Sequence, residues 1–128
     1  MTMLLTRDYT YYFAAAFPTC EALRDSLISD AAIAKMKALP IWFTAAKTDT
    51  TVPPKDYVIP TYNRLFNAGA KDVHFSYFDK VVETINGAPY EYEGHWSWIY
   101  VYNNLCKYTD NGKTTTIMEW LSKQSLHK

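Results

Sequence analysis

Along this chain the apolar residues gather in short continuous runs, set between longer segments where polar and apolar positions mix. The clearest run is "PIWFTAA", Pro40 to Ala46, rich in large side chains and opened by a proline. A continuous apolar run of that length predicts a strand buried on both faces. "YYFAAAFPT" predicts a second buried strand, closed by Pro18, and "DVHFSYF", Asp72 to Phe78, a third that is rich in β-formers.

The segments between these runs carry helix signals. Ser29 or Asp30 can cap a helix through "AAIAKMKAL", which must end before Pro40. Pro60 suits the first turn of a helix in which Tyr62, Leu65 and Phe66 share a face, with Gly69 placed as its stop. After the third strand the pattern predicts a loop, a helix from Trp96 to Asn104 and a turn at "DNG". A last helix follows, with Ile117, Trp120 and Leu121 on one side. Strand alternating with helix implies the α/β class: a three-layer arrangement with a parallel sheet, right-handed crossovers and helices flanking its faces. About three strands make a thin sheet. The chain, a single domain over residues 1–128, therefore reads as part of a larger one.

Composition narrows the classes. A chain of 128 residues buries roughly two-thirds of its unfolded surface. Hydrophobic residues at 48% and aromatics at 16% exclude intrinsic disorder. Lysine plus arginine equals aspartate plus glutamate, 13 each, so no long-range field draws in nucleic acid or an anionic membrane, and neither partner is expected. No apolar run approaches the roughly 18 residues of a membrane span. "MTMLLTRDYT" is too weakly apolar for a signal peptide, so a cytoplasmic location is expected unless a longer parent carries an export signal.

Cys20 and Cys106 lack zinc-type spacing with each other or with histidine, and read as two idle thiols that pair only in an oxidising compartment. No glycine-rich phosphate loop occurs among the four glycines. No cofactor and no metal are expected.

Candidate chemistry sits where parallel strands end, because ligands bind at the carboxyl edge of such sheets. Asp49 lies three residues beyond "PIWFTAA", and His95 lies in "GHW" at the end of the loop after "DVHFSYF". On one rim, Asp49 would accept the Nδ1 proton of His95, leaving Nε2 to take a proton from a nucleophile. Gly94 would let the chain turn tightly before the histidine. The plainer readings are a turn aspartate that binds local amides and a histidine hydrogen-bonded within an aromatic core. His74 reads as structural and His127 as solvated. Trp96 and Tyr100 would share a face at helical spacing, and Trp96 can line a pocket.

The nucleophile is missing. None of Ser26, Ser29, Ser76, Ser97, Ser122 and Ser125 stands in a G-x-S-x-G elbow.

Four stretches together resemble the C-terminal half of an α/β-hydrolase: "PIWFTAAKTDTTVPP", "YNRLFNAGAKDVHFSYFDKV", "GHWSW" and "IMEWLSKQ". The branch they are most similar to holds the prolyl oligopeptidase-type and polyhydroxybutyrate depolymerase-type esterases and peptidases, secreted or cytoplasmic. The resemblance implies that the three strands are the last of an eight-stranded sheet. It implies that "MTMLLTRD" is the remainder of the helix behind a serine elbow lying upstream. Asp49 matches the family acid and His95 the family base, while no residue matches the nucleophile or the first-half oxyanion donor. The implied substrate of an intact enzyme is a small ester or a peptide.

The alternative expectation, from a different class, is a non-catalytic fragment or interaction module. It would form homo-oligomers through an exposed strand edge near Phe13 to Phe17, or through uncovered helix faces.

Overall fold

A computed structural model describes residues 1–126; the expectation for His127 lies outside the described residues. The central strand, β1 (Ile41–Ala46), is buried at all six positions, as its unbroken apolar run requires. It pairs in parallel with β2 (Val73–Phe78), in register from Ile41 opposite Val73 to Ala46 opposite Phe78. On its other side runs the segment expected as a full strand, and here the structure corrects the expectation. Thr10–Tyr12 form a 3₁₀ turn, and the extended part that follows touches β1 only through two parallel bridges, Ala16 to Ile41 and Thr19 to Thr44. Pro18 lies between those bridges, where it has no N–H to offer a ladder.

Side chains alternate across β1. Ile41, Phe43 and Ala45 enter a cluster with Met3, Ile28, Ile33, Met36, Val58 and Leu65. Trp42 faces the other way, among Val101, Cys106, Ile117 and Trp120. Two cores on the two faces of one strand make the three layers. Each fully buried ring, such as that of Phe43, contributes about 2–3 kcal/mol by leaving water.

The helices follow their local signals. α1 (Thr2–Asp8) packs Met3 into the first core. α2 (Asp30–Met36) is capped by Ser29, whose Oγ accepts the Ala32 N–H at 3.1 Å, a contact worth about 1 kcal/mol. α3 (Val58–Asn67) buries Val58, Thr61 and Leu65, while Phe66, expected on the same face, is exposed. It ends where Gly69 adopts φ +89°. The Gly69 and Ala70 amides return to the carbonyls of Phe66 and Leu65, closing the last turn.

The expected loop after β2 is instead a hairpin, β3 (Val81–Ile85) with β4 (Ala88–Tyr92). Asn86 and Gly87, at φ 52° and 79°, form its turn, and two positive values in a row are what a tight right-twisted hairpin demands. The expected helix from Trp96 begins later, as α4 (Trp98–Tyr102), after a 3₁₀ turn over Gly94–Trp96. Trp96 and Tyr100 therefore do not share a helical face. Tyr100 packs on Phe78, whereas Trp96 stacks on Tyr92. The expected turn at "DNG" joins β5 (Lys107–Asp110) and β6 (Lys113–Thr116), which lead into α5 (Ile117–Ser122). No helix among the described residues is long and apolar enough to cross a membrane.

Candidate active site

Asp49 closes a turn just past β1, its amide bonded to the carbonyl of Ala46 at 3.1 Å. One carboxylate oxygen does the turn residue's work: Oδ1 accepts the amides of Thr51 at 2.9 Å and Val52 at 3.0 Å. The other, Oδ2, lies 3.0 Å from Nδ1 of His95. Oδ1 thus fills the turn role, and Oδ2 is free to meet the imidazole. Because an ionised carboxylate only accepts, the shared proton belongs on Nδ1. Asp49 is 3% exposed, and its two amide bonds fix the carboxylate before the imidazole arrives.

His95 comes to Asp49 from the 3₁₀ turn after β4. Its ring is half-buried and lies edge-on to Trp98, with centroids 5.7 Å apart. Nε2 makes no hydrogen bond to any described residue. The ring is therefore oriented from one side and open at the other, the arrangement a general base needs. None of the described serine hydroxyls bonds it. Ser97 is fully buried against Cys20, Ser29 caps α2, Ser76 accepts from the Trp42 indole, and Ser122 donates to the Glu119 carbonyl.

Two residues that sequence spacing did not single out hold the histidine turn. Cys20, at the end of the segment beside β1, donates its S–H to the His95 carbonyl at 2.7 Å and lies 3.0 Å from Ser97 Oγ. It sits at φ 51°, an uncommon conformation for a residue with a Cβ. Glu93 accepts the Thr50 amide at 2.7 Å and the Thr50 hydroxyl at 3.0 Å through Oε1, and the His95 amide at 2.7 Å through Oε2. Burial pushes the Glu93 carboxyl up, but the Thr50 and His95 donors outweigh it and hold the group below the usual glutamate range. Local sequence carried no signal for the Cys20 contact, which joins residues 75 positions apart.

Cys20, Asp49 and His95 place one ligand-type atom each within 4.8 Å of one another, a set that invites comparison with a metal centre. Its chemistry fits poorly. Burial pushes the Cys20 thiol up, and the Asp49 charge adds to that against the help of Ser97, so the thiolate a metal requires is disfavoured. Nδ1 and Oδ2 already satisfy each other.

Trp96 is 45% exposed next to His95. Its ring stacks on Tyr92 at 5.3 Å and tilts against Trp98 at 5.1 Å. His74 lies elsewhere, stacked on Tyr108 at 4.1 Å and bonded through Nε2 to Asp72 at 2.7 Å.

No family model matches the chain, and no curated protein matches it. Among solved structures it is similar to the crystal structure of a thermostable esterase, with a TM-score of 0.69 and 23% identity over 96% of this chain. The likeness shows a shared mixed α/β fold. The chain spans 27% of the length of that esterase.

Proposed function

We propose that this chain is the acid-and-histidine portion of a serine hydrolase that cleaves carboxylic esters or amides, with the serine supplied by polypeptide outside the described residues. The observation that carries the reading is the 3.0 Å contact of Asp49 Oδ2 with His95 Nδ1, with Nε2 left unbonded beyond the carboxyl ends of β1 and β2. The fold likeness supports it independently.

In this reading His95 Nε2 takes the serine O–H proton as the serine oxygen bonds to the substrate carbonyl carbon. The imidazolium, held by Asp49, then gives that proton to the departing alcohol or amine. Water repeats the sequence to release the acid and restore the serine. Trp96 contacts the acyl or alcohol group.

The test is a chimera in which this chain follows an α/β-hydrolase half that carries a G-x-S-x-G elbow, assayed with a chromogenic short-chain ester and a fluorophosphonate probe. The chain alone is expected to be unlabelled and inactive, and the chimera to turn over. Asp49→Asn or His95→Ala in the chimera should cut turnover about a thousandfold or more. Near-normal turnover in either variant removes that residue from the mechanism.

A second reading is favoured by a specific observation. The segment through Ala16 and Thr19 is bridged to β1 on one side only, and Phe13 and Phe17 beside it are exposed. An unpaired edge of this kind pairs with another chain. Sedimentation at several concentrations should show self-association of the isolated chain, and a concentration-independent monomer would count against it.

A further inference from the structure

We infer that Glu93 is the positioning residue of this site: it latches the loop that carries Asp49 to the turn that carries His95. The inference rests on the proposed role of the Asp49–His95 pair.

The acid loop is anchored at its start, where the Lys47 amide bonds the Phe78 carbonyl at 2.9 Å. Beyond that point the two amide bonds of Asp49 Oδ1 are internal to the loop. The histidine turn is held from its far side, by Cys20 at the His95 carbonyl. Gly94 packs against the Asp49 and Thr48 backbone, which limits how near the loops can come, but neither that packing nor either set of contacts stops them separating on the side where the carboxylate meets the imidazole. Left alone, the Asp49–His95 hydrogen bond would have to maintain the geometry it depends on.

Glu93 supplies the missing constraint with one carboxylate oxygen for each loop. Oε1 takes both donors of Thr50, the neighbour of Asp49. Oε2 takes the amide of His95 itself. The carboxylate is planar and short, so binding both loops at once fixes their separation within one residue of the pair. Glu93 faces solvent, yet all three contacts are charge-assisted, the stronger class of hydrogen bond. Against the opposing effect of burial, its carboxyl is held below the usual range by the Thr50 and His95 donors and by its closeness to His95.

A residue that merely starts the Gly94–Trp96 turn would need only the His95 amide bond. The two bonds to Thr50, 43 positions away, have no part in that turn. They are what a latch predicts.

The experiment uses the chain as it is, labelled with ¹⁵N-histidine. A proton held between Nδ1 and a carboxylate resonates far downfield of the amides, and its exchange with water reports how tightly the pair is closed. In Glu93→Ala that exchange should be at least about tenfold faster or the line should vanish, because all three charge-assisted bonds between the loops are lost. Glu93→Gln keeps the shape but has one acceptor, so it should fall between wild type and alanine, and it serves if the alanine variant does not fold. Melting temperatures are measured in parallel, because a structural role alone would lower them and leave the proton unchanged. An unchanged line in both variants overturns the latch and leaves the pair standing. Absence of the line from wild type, with Asp49→Asn without effect on the His95 ring, overturns the pair, the proposed function and the latch together.

Discussion

A Cβ placed on Gly94 would lie 2.2 Å from the amide nitrogen of Asp49 and 2.4 Å from the carbonyl carbon of Thr48. Gly94 is absent from the positive-φ glycines, so the residue is demanded by room and not by a sharp turn. The loops bearing the acid and the histidine pack backbone against backbone.

Gly94→Ala is therefore expected to force the two loops apart. The two nearest clashing atoms are main chain and cannot rotate aside, so the cost should be about 1–3 kcal/mol, the range for overpacking. Thermal denaturation should show a melting point lowered by several degrees. An unchanged melting point would mean that the loops have slack which the structure does not show.

Glu21 should make stability fall as pH rises through the mildly acidic range. Glu21 is 4% exposed, its Oε2 has no hydrogen-bond partner, and Oε1 takes only the Leu23 amide. Burial pushes the group from 4.5 up to about 7; Asp25 adds to this, while the Leu23 amide and the N-terminal ammonium oppose it. Below the unfolded value both states are protonated and nothing is lost. Between 4.5 and 7 the unfolded chain releases the proton that the folded chain keeps, so stability drops with pH until the folded group ionises as well. The full loss is about 3 kcal/mol. Urea denaturation should find Glu21→Gln more stable than wild type by about 1–3 kcal/mol above neutral pH, with the advantage gone at low pH. Parallel pH profiles for the two proteins would contradict this.

Both cysteines should be sluggish. Burial pushes the Cys20 and Cys106 thiols up, against weaker opposition from Ser97 at the first and from Thr44 and Ser76 at the second. A colorimetric disulfide reagent at neutral pH should modify the native chain at least about a hundredfold more slowly than the chain in denaturant, because the thiolate is the reactive form. Rapid modification of Cys20 would instead point to a thiolate beside His95 and reopen metal or nucleophile chemistry there.

Much of the scaffold was legible. "PIWFTAA" could only be a strand between two cores, and β1 is buried throughout. Ser29 and Gly69 bound α2 and α3 by their own backbone chemistry. The hairpins were obscured because their strands are short and mostly exposed, which leaves little apolar alternation to follow. Asn86-Gly87 and Asn111-Gly112 are the local signals for these turns, and the second stands out because an aspartate precedes it. The segment around "FAAAF" misled because an apolar run marks burial more surely than pairing, and Pro18 interrupts the ladder. In the site, the order of strands put Asp49 and His95 on one rim, and the structure brings their side chains within 3.0 Å. Cys20 and Glu93 could not, since their contacts join distant positions that nothing in local sequence connects.

His95 can serve as the base at Nε2 only if Nδ1 holds the proton when the ring is neutral. ¹⁵N chemical shifts of the imidazole, in wild type and in Asp49→Asn, read this directly. The prediction is protonated Nδ1 with bare Nε2 in wild type, and loss of that preference in the asparagine variant. A neutral ring protonated at Nε2 would leave His95 unable to accept a proton from a serine there, and a ring indifferent to Asp49 would remove Asp49 from the mechanism.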